Sequence, residues 1–271
     1  MGTWAARVRM PLQYAGLVLG VAGAVITLID VLLLERGLDV PVGALLVGAG
    51  VAFWAIAFAL VVAAPAVKAE PLEVAAPVAG TWLAVNSPTT KVPSHGTHGY
   101  GQSYAVDLVY APEGVERPEF GKAGGAFLPP ERFPAFGQPV LAPADAEVVR
   151  VTDRIRDHRS RSSWLGFAWF FVESVPRELR GLKGVLGNHV VLRLPDGTHF
   201  VLAHLRQGSA RVAVGDHVRA GQAVAECGNT GNSTEPHLHC QRQDVANTFV
   251  AAGLPWTVPG GIPPSNESRG F

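Results

Sequence analysis

Cysteine and charge are both scarce in this sequence. Two cysteines in 271 residues exclude a disulfide-dense scaffold and a four-cysteine zinc finger. Charged residues make up 16% of the chain, and 22 basic residues balance 22 acidic ones, so the basic face of a general nucleic-acid binder is missing. Glycine-rich phosphate loops, the G-x-S-x-G elbow and the dinucleotide fingerprint are also absent, which leaves nucleotide binding and serine-hydrolase chemistry without a motif.

Two long apolar runs lie near the N-terminus. Residues 12–34 contain Asp30 as their only charge, and residues 42–67 contain none. Each run exceeds the length of about 20 apolar residues that spans a bilayer, and neither has the polar face of a soluble helix. The short polar turn Glu35–Asp39 between them predicts a membrane hairpin over residues 1–68. A cleavable signal peptide is the alternative for the first run, but that run is too long and a second one follows directly.

The rest of the chain has the pattern of a β-rich domain. Short runs rich in Val, Leu and Ile alternate with turn residues, and Leu194–Thr198 contains an Asp-Gly hairpin signal. Short strands separated by turns indicate an all-β sandwich or barrel. A Pro- and Gly-rich stretch at 112–139 and an insertion at about 153–187 interrupt the pattern. The insertion holds an arginine cluster and an aromatic run that could roof a cleft, lie on a membrane surface or pack against the sheet.

Histidines form the chemically suggestive pattern. His237 and His239 are two residues apart, so on a strand both imidazoles face the same side. His204 ends another predicted strand, and either His95 or His98 precedes Asp107. Two histidines and an aspartate suit a catalytic zinc ion, because three protein ligands leave one position for water.

Four stretches carry a resemblance to a known family. They are GQPVLAPADAEVV (137–149), GNHVVL (187–192), AHL (203–205) and VAVGDHVRAGQAVAECGNTGNSTEPHLH (212–239). Together they resemble the lysostaphin-type zinc metallopeptidases. The resemblance implies an all-β, two-sheet catalytic domain of the duplicated hybrid motif type, here over residues 90–250. Residues 69–89 then form a linker from the membrane hairpin, and residues 251–271 form a C-terminal tail.

The resemblance also implies roles for individual residues. Zn²⁺ would be bound by the histidine of the first motif, by Asp107 and by His239, with His204 and His237 as catalytic residues that do not bind the metal. Many family members place the first histidine four residues before the aspartate, whereas His95 and His98 lie twelve and nine residues before Asp107. Ser-His-Gly-Thr resembles a longer-spaced branch of the family, which favours His95 and leaves His98 as the alternative.

The predicted function is that of a membrane-anchored zinc metalloendopeptidase that hydrolyses peptide bonds in bacterial peptidoglycan. The alternative is a catalytically silent domain of the same fold that regulates or scaffolds other cell-wall hydrolases. All five motif positions hold competent residues, which favours the enzyme. A carrier-like hairpin domain is disfavoured because the GNTGNS turn (228–233) contains no lysine for acylation.

The predicted location and the charge pattern disagree. A wall peptidase at the cell membrane needs an extracytoplasmic catalytic domain. Arg7 and Arg9 instead favour a cytoplasmic N-terminus, which would place the residues after the hairpin in the cytoplasm. Because this charge bias rests on only a few residues, we give more weight to the location of the substrate and expect an extracytoplasmic catalytic domain.

The two cysteines flank the last motif. Cys227 and Cys240 could form a disulfide if their strands are neighbours, and an extracytoplasmic domain would permit it. The preferred interpretation is two small buried apolar residues.

Overall fold

The computed structural model describes residues 2–34, 42–62, 66–122 and 124–271. Helix α1 (Gly2–Ile29) continues as a π-helix over Asp30–Leu34, and helix α2 (Val42–Val62) runs back along it. Glycines lie where the two helices touch: a Cβ atom on Gly23 would be 2.6 Å from the carbonyl oxygen of Gly43. Small residues of this kind let apolar helices approach closely.

Both helices are long and apolar enough to cross a membrane. Two apolar N-terminal helices therefore precede the rest of the chain, as the sequence predicts. The predicted polar turn Glu35–Asp39 lies outside the described residues. Membrane insertion itself stays a prediction, because length and composition alone support it.

An antiparallel sheet of nine strands dominates the remaining residues. Its strands are β2 Thr81–Asn86, β3 Val106–Tyr110, β6 Ala146–Thr152, β8 Asn188–Arg193, β9 His199–Leu205, β10 His217–Val218, β12 Leu238–Gln243, β13 Gly253–Leu254 and β15 Ser268–Gly270. Along the sheet they follow the order β10-β6-β8-β9-β12-β3-β2-β15, and β13 pairs with the end of β12. The predicted Asp-Gly hairpin joins β8 to β9.

A smaller sheet covers one face of the large one. It consists of β5 (Pro139–Leu141) and β11 (Ala223–Glu226), and its Val140 and Val224 share one apolar core with Leu202 and Leu238 of the large sheet. The mostly β, two-sheet architecture predicted from the sequence is therefore confirmed. Cys227 and Cys240 are both buried in this core as free thiols rather than as a disulfide.

The ends of the β domain extend beyond the predicted limits. Strand β2 lies in the stretch interpreted as linker, and β15 lies in the predicted tail, yet the two pair with each other at the edge of the large sheet. Strand β1 (Leu72–Glu73) pairs in parallel with β14 (Trp256–Thr257). Trp82 of β2 is fully buried, so burial of this residue, rather than a strong strand pattern, holds the segment in the fold.

The insertion is folded and mostly helical. Strand β7 (Ser160–Arg161) pairs with β4 (Phe127–Leu128), helix α3 spans Trp164–Leu179, and helix α4 spans Leu182–Leu186. Ser163 caps α3, because its side chain accepts a hydrogen bond from the backbone N–H of Gly166.

The first turns of α1 pack against the β domain. Arg7 forms a 2.7 Å ion pair with Asp244, and buried Arg9 donates to the carbonyl oxygen of Ala251. Met10 packs in a small apolar cluster with Tyr100 and Val185. The helical hairpin is therefore in direct contact with the β domain.

Candidate metal centre

Three neighbouring strands bring the predicted site residues together. On β12, His239 lies directly opposite Asp107 of β3 and opposite Ala203 of β9. His237 immediately precedes β12 and His204 lies in β9. Paired residues on adjacent antiparallel strands face the same side of the sheet, so register alone places Asp107 beside His239.

A β-bulge brings His204 to the same side. Ala203 is the residue paired with His239, so regular alternation would turn His204 to the opposite face. The register between β8 and β9 shifts at this point, and His204 has a left-handed backbone with φ of 61°. Bulges re-aim side chains in this way, and the ring of His204 lies with its centroid 5.6 Å from that of His239.

His95, Asp107 and His239 form a compact group of possible metal ligands. Their ligand atoms all lie within 4.8 Å of one another. The two carboxylate oxygens of Asp107 lie 2.9 Å from His95 Nε2 and 2.8 Å from His239 Nδ1. His95, rather than His98, therefore lies beside Asp107.

His98 occupies a different environment. Its Nδ1 lies 2.8 Å from the hydroxyl of Ser103, and its backbone N–H donates to the carbonyl oxygen of Val61 at the end of α2. The ring is buried, and burial together with nearby Arg9 lowers its pKa. His98 thus contacts the hairpin, whereas the group of possible ligands contains His95.

The donor set fits a zinc ion. Two imidazole nitrogens and one carboxylate oxygen match the three protein ligands of catalytic zinc sites. Burial alone would raise the pKa of Asp107, but the neighbouring His95 and His237, with hydrogen bonds from His239 and His95, hold it well below its usual value. Asp107 is therefore ionised, as a metal ligand must be.

A second layer of hydrogen bonds orients the three residues. Asn86 donates to Asp107 Oδ2 over 2.8 Å, and the Ser94 hydroxyl lies 3.0 Å from His95 Nδ1. The Gln241 side-chain oxygen lies 2.9 Å from His239 Nε2 and accepts a hydrogen bond from it, so a metal bound at Nδ1 would take the place of the contact between Nδ1 and Asp107. Such partners fix the tautomer and the orientation of the ligating rings.

Sequence reasoning missed these supporting residues. The position of Gln241 could have been predicted, because it follows His237 and His239 at the same spacing of two residues and so faces the same side of β12. Asn86 and Ser94 had none, since both lie in segments without a recognised motif. The register of β2 against β3 is what places Asn86 beside Asp107.

His204 and His237 flank the group as a pair. Their ring centroids are 4.7 Å apart, and His237 Nε2 lies 3.6 Å from Asp107 Oδ1. His204 Nδ1 donates to the carbonyl oxygen of Thr230 and His237 Nδ1 to that of Glu235, both over 2.8 Å. With Nδ1 used in this way, Nε2 is the nitrogen of each ring that remains for proton transfer.

The buried position of His204 keeps it neutral. Burial, reinforced by the nearby rings of His237 and His239, lowers the pKa of His204 well below its usual value. A neutral imidazole with a free Nε2 is suited to act as a base.

Substituting Gln241 tests the second layer of hydrogen bonds. Gln241→Met preserves side-chain length but removes the oxygen that holds His239, so zinc affinity is expected to fall by roughly 10- to 100-fold. Competition with a chromophoric chelator measures it. Gln207→Met, at an exposed position, is the matched control and should leave affinity unchanged. An unchanged affinity in a folded Gln241→Met protein would show that Gln241 does not orient the ligand.

Comparisons with known proteins match the C-terminal part of the chain. Residues 174–249 match the family model described as Peptidase family M23. This stretch includes His204, His237 and His239, whereas His95 and Asp107 lie before it.

Two curated relatives illustrate the similarity. Lysostaphin of Staphylococcus staphylolyticus is 43% identical over 63 residues, which are 23% of this chain and 12% of the relative. The DD-carboxypeptidase/endopeptidase Mpg of Neisseria meningitidis serogroup B is 42% identical over 60 residues, 22% of this chain and 13% of the relative. The matched stretch thus spans only about an eighth of either relative's length.

A solved structure gives a weaker match. The catalytic domain of the antimicrobial peptidase lysostaphin from Staphylococcus simulans aligns with a TM-score of 0.34 at 20% identity, over 65% of this chain and 88% of that one. The likeness to the family therefore rests on the sequence matches.

Proposed function

We propose that this chain, whose residues 174–249 match peptidase family M23, is a membrane-anchored zinc endopeptidase that hydrolyses peptide bonds in bacterial peptidoglycan. One observation carries the proposal: His95, Asp107 and His239 form a three-ligand group, and the imidazoles of His204 and His237 lie beside it. Metal ligands and proton-transfer groups are thus present in one place.

The relatives indicate the class of substrate. M23 peptidases include peptidoglycan endopeptidases, and the Neisseria relative is named a DD-carboxypeptidase/endopeptidase. We infer that the substrate here is also a cell-wall peptide, either a cross-link or a stem.

The proposed mechanism assigns each residue one task. His95 Nε2, the Asp107 carboxylate and His239 Nδ1 would hold the zinc ion. Bound zinc supplies a water of lowered pKa, toward about 7, and polarises the scissile carbonyl. Neutral His204, held through Thr230, and His237, held through Glu235, each present Nε2 toward proton transfer. One accepts the proton of the attacking water at Nε2, and the other would act in its protonated form, donating from Nε2 to stabilise the oxyanion or to protonate the leaving amine.

The completeness of this set supports catalysis over the regulatory alternative. A silent domain needs neither the ligand group nor the two flanking bases. The left-handed backbone of His204 strengthens the argument, because a non-glycine residue in this conformation carries a cost of order 1–3 kcal/mol that functional sites tolerate. Here the conformation turns the ring toward His237 and His239.

The contacts of Arg7 and Arg9 support an extracytoplasmic catalytic domain. Both arginines are used to hold α1 against the β domain, Arg7 through Asp244 and Arg9 through Ala251. The positive-inside bias counts Lys and Arg residues near the ends of a membrane span. Because these two are paired or buried against the domain, we infer that they accompany it and do not fix the N-terminus in the cytoplasm.

Removal and return of zinc test the proposed function. Full-length protein in detergent, incubated with purified peptidoglycan, is expected to release soluble peptide-containing fragments. Chelation should lower this rate by about a hundredfold or more, because the metal supplies several kcal/mol of transition-state stabilisation, and added zinc should restore it. A zinc-loaded, folded protein that releases nothing would instead favour the regulatory alternative.

A further inference from the structure

Helix α3 exposes a large apolar face. Trp164, at its first turn, is 75% exposed. The other exposed apolar side chains of the helix are Leu165, Trp169, Phe171, Val172, Val175 and Leu179. Contiguous apolar surface of this kind is rare on soluble monomers and marks a contact with a membrane or a partner.

Two charged side chains of α3, Glu173 and Arg177, lie on its other side. Glu173 forms an ion pair with buried Arg161, and Arg177 lies 3.6 Å from Glu173. Both face the β domain, so the helix is amphipathic with its apolar side outward. A helix with one strongly apolar face and one charged face is typical of segments that lie in the plane of a membrane surface.

The end of α3 contacts the first membrane helix. The Tyr14 hydroxyl of α1 donates to the carbonyl oxygen of Glu178 over 2.8 Å. The apolar helix Thr3–Leu32 has 30 residues, so it is about 45 Å long, whereas the hydrocarbon core of a bilayer is about 30 Å thick. The excess of roughly ten residues corresponds to the first turns of α1, where Ala5 and Met10 are buried. Tyr14 then lies close to the membrane surface.

The end of the second membrane helix indicates the same position for the membrane surface. The carbonyl oxygen of Val61, one residue from the end of α2, accepts from the backbone N–H of His98. Both hairpin ends therefore meet the β domain at the side where α3 ends. Tyrosine and tryptophan favour the interfacial layer of a bilayer, and α3 contributes Trp164 and Trp169 to this region.

Basic side chains complete the pattern beside α3. Arg156, Arg177, Arg180 and Lys183 line one cavity of about 490 Å³ next to the C-terminal end of the helix. Cationic groups at this place are complementary to the phosphates of anionic lipid headgroups.

We propose that α3 lies in the headgroup layer of the membrane that the hairpin spans, with its apolar face toward the acyl chains and the adjacent basic cavity toward lipid phosphates. This inference rests on the proposed membrane anchoring. The position of α3 also narrows the class of substrate, because α3 is connected to the active site. It follows β7, and the backbone N–H of Arg161 in β7 donates to the carbonyl oxygen of Thr234, three residues before His237. Docking of α3 therefore holds the rim of the active site against the bilayer, within reach of membrane-proximal peptidoglycan peptides.

Spin labels on the full-length chain test the position of α3. Leu165→Cys and Val172→Cys place labels on the apolar face, Ile56→Cys marks the exposed side of α2, and Val214→Cys marks an exposed loop. The native Cys227 and Cys240 are buried, and burial raises the pKa of both thiols, so they resist labelling. The protein is placed in vesicles of phosphatidylcholine and phosphatidylglycerol, and collision rates with oxygen and with a water-soluble nickel complex are compared.

The expected ratio of oxygen to nickel collisions at positions 165 and 172 exceeds that at position 214 by roughly tenfold, because oxygen concentrates in lipid and the nickel complex is excluded. Ratios at 165 and 172 equal to that at 214, with a lipid-like ratio at 56, would overturn the inference and leave the anchoring intact. A water-like ratio at 56 as well would overturn both. Shielding from both reagents with spin–spin broadening would identify a second copy on this face and would also overturn it. Zinc content of the same samples reports on the metal centre independently.

Discussion

Asp107→Ala is expected to abolish zinc binding and to lower peptidase activity by about a thousandfold or more. Asp107 lies between His95 and His239, and its two oxygens contact both rings. Without the carboxylate the group keeps only two neutral ligands in a buried place, which is one fewer than catalytic zinc sites use. The rate of fragment release from peptidoglycan, measured with and without added zinc, gives the loss.

A matched substitution separates loss of the ligand from loss of any aspartate. Asp145→Ala removes an exposed carboxylate whose hydrogen bond is to the backbone N–H of Ala220, and it should leave zinc content and activity unchanged. Activity close to wild type in folded Asp107→Ala would remove this residue from the proposed centre.

Substitution of either flanking histidine should separate chemistry from metal binding. His204→Asn and His237→Asn are each expected to lower activity by about 100- to 10,000-fold, because proton transfer by a positioned base contributes that much. Zinc content should stay near that of the wild type, since neither residue belongs to the ligand group. Asparagine suits position 204, because it tolerates the left-handed backbone and can still donate toward Thr230.

His217→Asn is the control for these two variants, because His217 is exposed on the edge strand β10. It should keep both activity and zinc. Loss of zinc in His204→Asn or His237→Asn would make that histidine a ligand, and full activity would exclude it from proton transfer.

Local patterns predicted most of the β domain. Strands such as Pro139–Leu141 and Ala223–Glu226 were readable because short Val- and Leu-rich runs end at clear turn residues. The edge strands β2 and β15 were not, since their place in the sheet comes from pairing between residues far apart in sequence. Sequence periodicity carries no information on such pairing.

The candidate site was predictable where its residues share a strand or a motif. His237 and His239 follow from a spacing of two, and Asp107 follows from the first motif. The orientation of His204 was not predictable, because it depends on a bulge that breaks alternation in β9. The preference for His95 over His98 rested on resemblance, and the structure supplies a physical reason. The ring of His98 is hydrogen-bonded to Ser103, and its backbone N–H is hydrogen-bonded to the end of α2.

The aromatic run of the insertion allowed three interpretations from sequence alone. Its helical form fits its composition, but only the fold shows that the apolar side points outward while Glu173 is paired inward with Arg161. The packing of α1 against the β domain could not be predicted from the sequence either. A count of charges includes Arg7 and Arg9 but does not show that they contact Asp244 and Ala251.

The metal content of the purified full-length protein tests the central claim most directly. Wild type, Asp107→Ala and His239→Ala are measured side by side by elemental analysis, with folding checked by circular dichroism. The account predicts about one zinc ion per wild-type chain and almost none in either variant. A folded wild-type protein without zinc, or variants that retain it, would contradict the account.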